Sequence, residues 1–112
     1  MKHKFAIIGG DLRIIKLVEM LANEENEIYV YGLEKADDIK NKQNIIHCDS
    51  IKKAIQNVEI VIGPSPFSSN GITINAPFSE KDITVMNCEK TLMARIIRAG
   101  IVTIYDFAEP FS

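Results

Sequence analysis

The chain has 112 residues, 46% hydrophobic and 25% charged, with a formal net charge of −2 and a pI near 5.7. One domain of that size buries a core without help from disulfides or metal, and the composition excludes a disordered chain. No apolar run approaches the roughly 18 residues of a membrane helix, and the lysines are interleaved with acids rather than gathered into the basic stripe of a nucleic-acid binder.

The N-terminus runs from Met1, Lys2, His3 and Lys4 straight into a short apolar segment, without the longer apolar region and small-residue cleavage site of a secretory leader. Phe5 to Ile8 is a continuous apolar run ended by Gly9 and Gly10, the signature of a strand covered on both faces. Asp11 then offers an N-cap. Ile14, Leu17, Val18 and Leu21 fall at i, i+3, i+4 and i+7, which predicts a helix, and the polar stretch 23–26 closes it. Ile28 to Tyr31 reads as a second strand stopped by Gly32. Strand, glycine turn, capped helix and strand together predict a βαβ unit.

Residues 33–44 read as a polar surface loop with one helical turn near 36–39, followed by a short extended piece at Ile45 and Ile46. Asp49 and Ser50 offer caps to a second helix carrying Ile51, Ala54, Ile55 and Val58. Glu59 to Ile62 is the third predicted strand. The stretch 64–71 (Pro64, Ser65, Pro66, Phe67, Ser68, Ser69, Asn70, Gly71) cannot continue a strand or helix. Residues 72–76 read as a short extended segment, Ile83 to Met86 as a fourth strand, and Asn87 as the cap of a third helix with Leu92, Ile96 and Ala99 on one face. Gly100 fits the position past that helix, and Ile101 to Tyr105 is the fifth strand. The alternation predicts a three-layer open parallel sheet of about five strands, Rossmann/flavodoxin-like, in the order 2-1-3-4-5.

Such sheets bind ligands outside the carboxyl ends of their strands. Three segments are expected there: Gly9, Gly10, Asp11 and Arg13; the loop bearing Ser65, Ser68, Ser69 and Asn70; and Asn87. Glycines admit a close backbone approach, helix N-termini favour anions, and hydroxyls, amides and an arginine suit carboxylates. The plainer alternative stands beside this: the glycines make a tight turn, Asp11 caps, Arg13 is solvated and the serine-proline loop only connects. Residues 7–13 do not form GxGxxG, and no acid sits cleanly at the end of strand two: Glu34, two residues past Gly32, is a weak candidate for a ribose hydroxyl, so the sequence gives nucleotide binding little support. Cys48 and Cys88 lack CxxC spacing and read as structural thiols, while His3 and His47 are isolated. Neither a metal site nor a catalytic residue is assigned.

The segment Ile7-Ile8-Gly9-Gly10-Asp11-Leu12-Arg13, followed by Ile28-Tyr29-Val30-Tyr31-Gly32, resembles the opening of the family of dipicolinate synthase A subunits. The resemblance continues at Ile62-Gly63-Pro64 with the loop to Gly71, at Ala76-Pro77-Phe78-Ser79 and at Ile101 to Tyr105. It thus covers nearly the whole chain, carried by order and spacing. It implies the N-terminal, substrate-side domain of a two-domain oxidoreductase of spore formation. Such an enzyme oxidises a dihydrodipicolinate-type intermediate of a lysine-pathway branch to dipicolinate, with NAD(P) bound by a C-terminal domain absent from this chain and the dipicolinate synthase B subunit as partner. It further implies a dicarboxylate ligand between Gly10, Asp11 and Arg13 on one side and Ser65, Ser68 and Asn70 on the other. Hydride transfer needs cofactor held against substrate, so the chain alone is expected to bind without turnover, in the cytoplasm; a homo-oligomer is left open. Two other readings compete: a stand-alone small-molecule or nucleotide-binding regulatory module without catalysis, and a structural subunit docking through an apolar patch near Phe107 and Phe111.

Overall fold

A computed structural model of the chain describes residues 3–23, 25–64, 66–91 and 102–103. Strand β1, His3–Ile8, lies at the centre of a parallel sheet. It pairs in parallel with β2, Asn26–Tyr31, on one side and β4, Ile60–Ile62, on the other. Beyond β2 lies β3, Ile45–His47, and beyond β4 the two-residue β5, Val102–Thr103.

Side chains of successive strand residues point to opposite faces, and the core divides accordingly. Ile7, Ile28, Val30, Ile45 and Ile62 meet Ile15 and Val18 of helix α1, Leu12–Leu21, together with Leu33, Ala36 and Ile39. Ala6, Ile8 and Val61 face the other way, onto Ile51, Ala54 and Ile55 of helix α2, Ile51–Ile55, with Phe67, Ile74, Ile83 and Cys88. The sheet is thus covered on both faces, the arrangement its continuous apolar strands require. Both helices begin on the residues read as caps: Asp11 accepts from the Arg13 amide and Ser50 from the Lys53 amide. The turn expected near 36–39 is a 3₁₀ turn at Asp37–Ile39.

The strand order is β3-β2-β1-β4-β5, the Rossmann order; the neighbours expected for the first three strands, 28–31 beside 5–8 beside 59–62, hold, while the edge strand β3 is added and the strand expected at 83–86 is not in the sheet. Two segments account for the correction. Ile45–His47 is a true edge strand, which needs only one apolar face: Ile45 is buried while Ile46 and His47 are exposed. Residues 83–86, in contrast, are not a sheet strand. Thr84 makes one isolated antiparallel bridge to Thr73, and residues 85–91 form helix α3. The β-branched run at Ile83, Thr84 and Val85 carries strand propensity, but Ile83 is spent filling the core and Thr84 caps the helix: its Oγ1 accepts from the Asn87 amide at 3.2 Å. The cap expected at Asn87 therefore belongs to Thr84. Leu92, Ile96, Ala99, Gly100, Phe107 and Phe111 lie outside the described residues.

Candidate functional site

Residues 66–84, which follow β4, form a strap across the carboxyl ends of β1 and β2. Phe67, Ile74 and Ile83 anchor it in the core. Its backbone is tied to both strand exits: the Gly10 amide donates to the Asn75 carbonyl at 2.9 Å, and the Lys35 amide to the Phe78 carbonyl at 2.8 Å. The Asn75 amide donates in turn to the Phe67 carbonyl at 2.8 Å. The glycine turn and the serine-proline loop therefore share one rim, joined through the backbone of Asn75. Nothing in the sequence marks Asn75, because its main chain rather than its side chain makes both bonds.

The strap changes what the glycine turn can do. Gly9 and Gly10 take φ of 65° and 111°, and both residues are buried. The Gly9 amide donates to the Tyr31 carbonyl at 2.8 Å, so both glycine amides are bonded to the protein itself. A β-carbon at Gly9 would lie 2.9 Å from Ile74 Cδ1 and 3.1 Å from Ala76 Cβ, so the strap sits where a ligand would approach the backbone. These residues do not fit the pyrophosphate of a dinucleotide, which needs open amides at this turn.

Asp11 and Arg13 stand at the edge of the strap's cover. Asp11 Oδ1 accepts from the Arg13 amide at 3.0 Å and from its Nε at 3.2 Å; Oδ2 accepts from Nε at 3.3 Å and Nη2 at 3.0 Å. The guanidinium hydrogen bond, opposed by partial burial, holds the Asp11 carboxyl below its usual range. Arg13's side chain is 73% exposed and Asp11's 33%.

The remaining candidates divide. Ser68 and Asn70 are engaged within their own turn. Ser68 Oγ donates to the Thr73 carbonyl at 2.6 Å and accepts from the Gly71 amide at 2.8 Å. Asn70 Oδ1 accepts from the amides of Ile72 and Thr73 at 2.8 and 2.9 Å. This is the local side chain-to-backbone bonding that Ser and Asn favour in turns. Ser69 is exposed on that turn, Asn87 is exposed on α3, and Ser65 lies outside the described residues. A shallow cavity of about 520 Å³ lies on the outer side of the strap, lined by Gly71, Ile72, Thr84, Val85, Met86 and Glu89. None of the eight candidate residues that are described lines it.

A further group collects where β2 and β3 end. Burial, with the charges of Glu34 and Asp49 adding to it, raises the Tyr31 hydroxyl pKa. Burial also raises the Cys48 thiol. Glu34 is half-buried, and its Oε1 is shut off from solvent with no hydrogen-bond partner among the described residues. That oxygen suits a donor such as a hydroxyl or ammonium rather than an anion. No group of three or more His, Cys, Asp or Glu able to hold a metal occurs among the described residues.

The sheet order and the strapped glycine turn define a Rossmann-like α/β domain. A family model for the N-terminal domain of the dipicolinate synthase A subunit matches residues 4–105. The chain belongs to that family. It is similar to the dipicolinate synthase A subunit of Bacillus subtilis (strain 168), with 22% identity over 104 residues, 91% of this chain and 34% of the relative. Among solved structures it is similar to the dipicolinate synthase A chain from Bacillus subtilis, with a TM-score of 0.68, 16% identity and coverage of 94% of this chain and 40% of that one. It is also similar to the dipicolinate synthase A subunit from Bacillus halodurans, with a TM-score of 0.61, 17% identity and coverage of 91% and 40%. At such identities the structural likeness shows the fold. The chain spans about a third of the length of the curated relative, 34%. Among the described residues, no helix is long and apolar enough to cross a membrane.

Proposed function

We propose that this chain is the substrate-side domain of an oxidoreductase of the dipicolinate synthase A type, which oxidises a dihydrodipicolinate-type intermediate to dipicolinate. The observation that carries the reading is the family match across residues 4–105. In this reading a dicarboxylate is met at the rim by the Arg13 guanidinium, a group suited to carboxylates. NAD(P) is held elsewhere in the longer protein. The strap supports that reading, since it takes the Gly10 amide and covers Gly9, whose own amide is held by the Tyr31 carbonyl, and so leaves a dinucleotide no open amide at this turn. The protein works in the cytoplasm with the dipicolinate synthase B subunit, and this domain by itself binds but does not turn over.

A second reading, a nucleoside-binding regulatory module, draws on one observation: the solvent-excluded Glu34 oxygen lies just past β2, where Rossmann folds place a ribose-binding acid. Thermal unfolding with pyridine-2,6-dicarboxylate, NADP or ATP separates the two. A ligand at about 100 times its dissociation constant adds about 2.7 kcal/mol of stability. A rise in Tm with the dicarboxylate alone is the outcome expected. A rise with a nucleotide and none with the dicarboxylate would replace the first reading with the second.

A further inference from the structure

Glu34 stands at the same rim as the glycine turn. The Gly9 amide donates to the Tyr31 carbonyl, and a β-carbon at Gly32 would lie 3.4 Å from the Gly9 nitrogen, so the exits of β1 and β2 touch. The residue after Glu34, Lys35, is tied through its amide to the Phe78 carbonyl of the strap at 2.8 Å. One carboxylate oxygen of Glu34, Oε1, is closed to solvent with no hydrogen-bond partner among the described residues. The Tyr31 hydroxyl does not bond to it, although burial and then the charge of Glu34 raise the pKa of that hydroxyl. Leaving a buried acceptor unbonded is costly, and the few such groups that folded chains keep call for a donor from outside.

We propose that Glu34 is a specificity-determining residue, whose Oε1 accepts a ring N–H of the ligand and so favours the reduced ring over the aromatic product. The proposal rests on the dicarboxylate reading above. An ionised carboxylate only accepts hydrogen bonds. A dihydropyridine in its enamine form has an N–H to offer. The nitrogen of an aromatic pyridine carries a lone pair instead, which the carboxylate repels. Repulsion from the ligand's own two carboxylates is common to both rings and cancels in the comparison. The domain thus holds the ring before oxidation and releases it afterwards.

The experiment is calorimetric titration of the whole 112-residue chain with three ligands. They are pyridine-2,6-dicarboxylate; cis-piperidine-2,6-dicarboxylate, which bears ring N–H groups; and cis-tetrahydropyran-2,6-dicarboxylate, in which an oxygen replaces the ring nitrogen. The proteins are the unsubstituted chain, Glu34→Gln and Asp38→Asn, the last removing a negative charge from an exposed residue four positions further on. The unsubstituted chain is expected to bind the piperidine about tenfold more tightly than the other two, the scale of one hydrogen bond to a charged group. Glu34→Gln should abolish that preference and Asp38→Asn should keep it. Equal affinity for all three ligands in the unsubstituted chain, or a preference that survives Glu34→Gln, overturns the proposal and leaves the dicarboxylate reading standing. So does a preference lost in both variants, which would belong to overall charge. Should Glu34→Gln fail to fold, the three ligands on the unsubstituted chain decide the matter, since the piperidine and the tetrahydropyran differ at the ring atom alone. Binding of none of the three overturns both readings.

Discussion

A β-carbon at Gly10 would sit 2.3 Å from Cγ1 and 2.6 Å from Cβ of Ile14, in a backbone with φ of 111°. Neither conflict is relieved by moving the tip of a side chain, because Ile14 Cβ is held by the helix itself. Gly10→Ala is therefore expected to cost on the order of 3 kcal/mol, from backbone strain and overpacking together, read as a lowered urea midpoint. Asp11 makes a separate prediction. Its folded pKa lies below that of an ordinary aspartate, chiefly through the Arg13 guanidinium hydrogen bond. A carboxyl so shifted contributes stability above its unfolded pKa and loses it as pH falls through the folded value. The small deficit of Asp11→Asn in urea unfolding should thus be present at neutral pH and vanish once the pH drops below the lowered folded value. At this scale the sequence was informative where side chains act locally: the caps at Asp11 and Ser50 follow from residue type and position. It was silent on Asn75, whose contribution comes from its main chain alone.

The strap is the element that most shapes the candidate site, and its stability rests on few anchors. Ile74 is 6% exposed, its amide donates to the Ile83 carbonyl, and its neighbour Asn75 holds Gly10. Ile74→Ala should destabilise the protein by about 2–5 kcal/mol. Local loosening should also speed hydrogen exchange at the Gly10 amide more than at the amides of β1. Equal acceleration at both would show that the strap and sheet open only together. The central strands were legible because an apolar run ended by glycine admits few other readings. Residues 83–86 misled because a β-branched run has the same composition whether it enters a sheet or plugs a core beside a helix start. The loop's serines and Asn70 suggested ligand contacts, yet the hydrogen bonds of Ser68 and Asn70 close a turn.

For the molecule as a whole, alternating strand side chains divide the interior between two layers, so the central strands β1, β2 and β4 are covered on both faces. Cys48 and Cys88 are not joined in a disulfide, and Cys88 is buried in the layer that holds α2. Thiol reductants should accordingly leave Tm unchanged in thermal scans of freshly reduced and air-exposed protein. The fold class and the central neighbours β2-β1-β4 were readable from the alternation of strand and helix signals, whereas the remaining places in the order were not. Order depends on which short segment finds an open edge, and the two apolar residues at Ile45 and Ile46 gave little warning that they would. That outermost ribbon has a further consequence. With only three residues in β3, its unpaired side offers too few rungs for a neighbouring chain to zip onto, and short margins are one way natural sheets resist growing into fibrils.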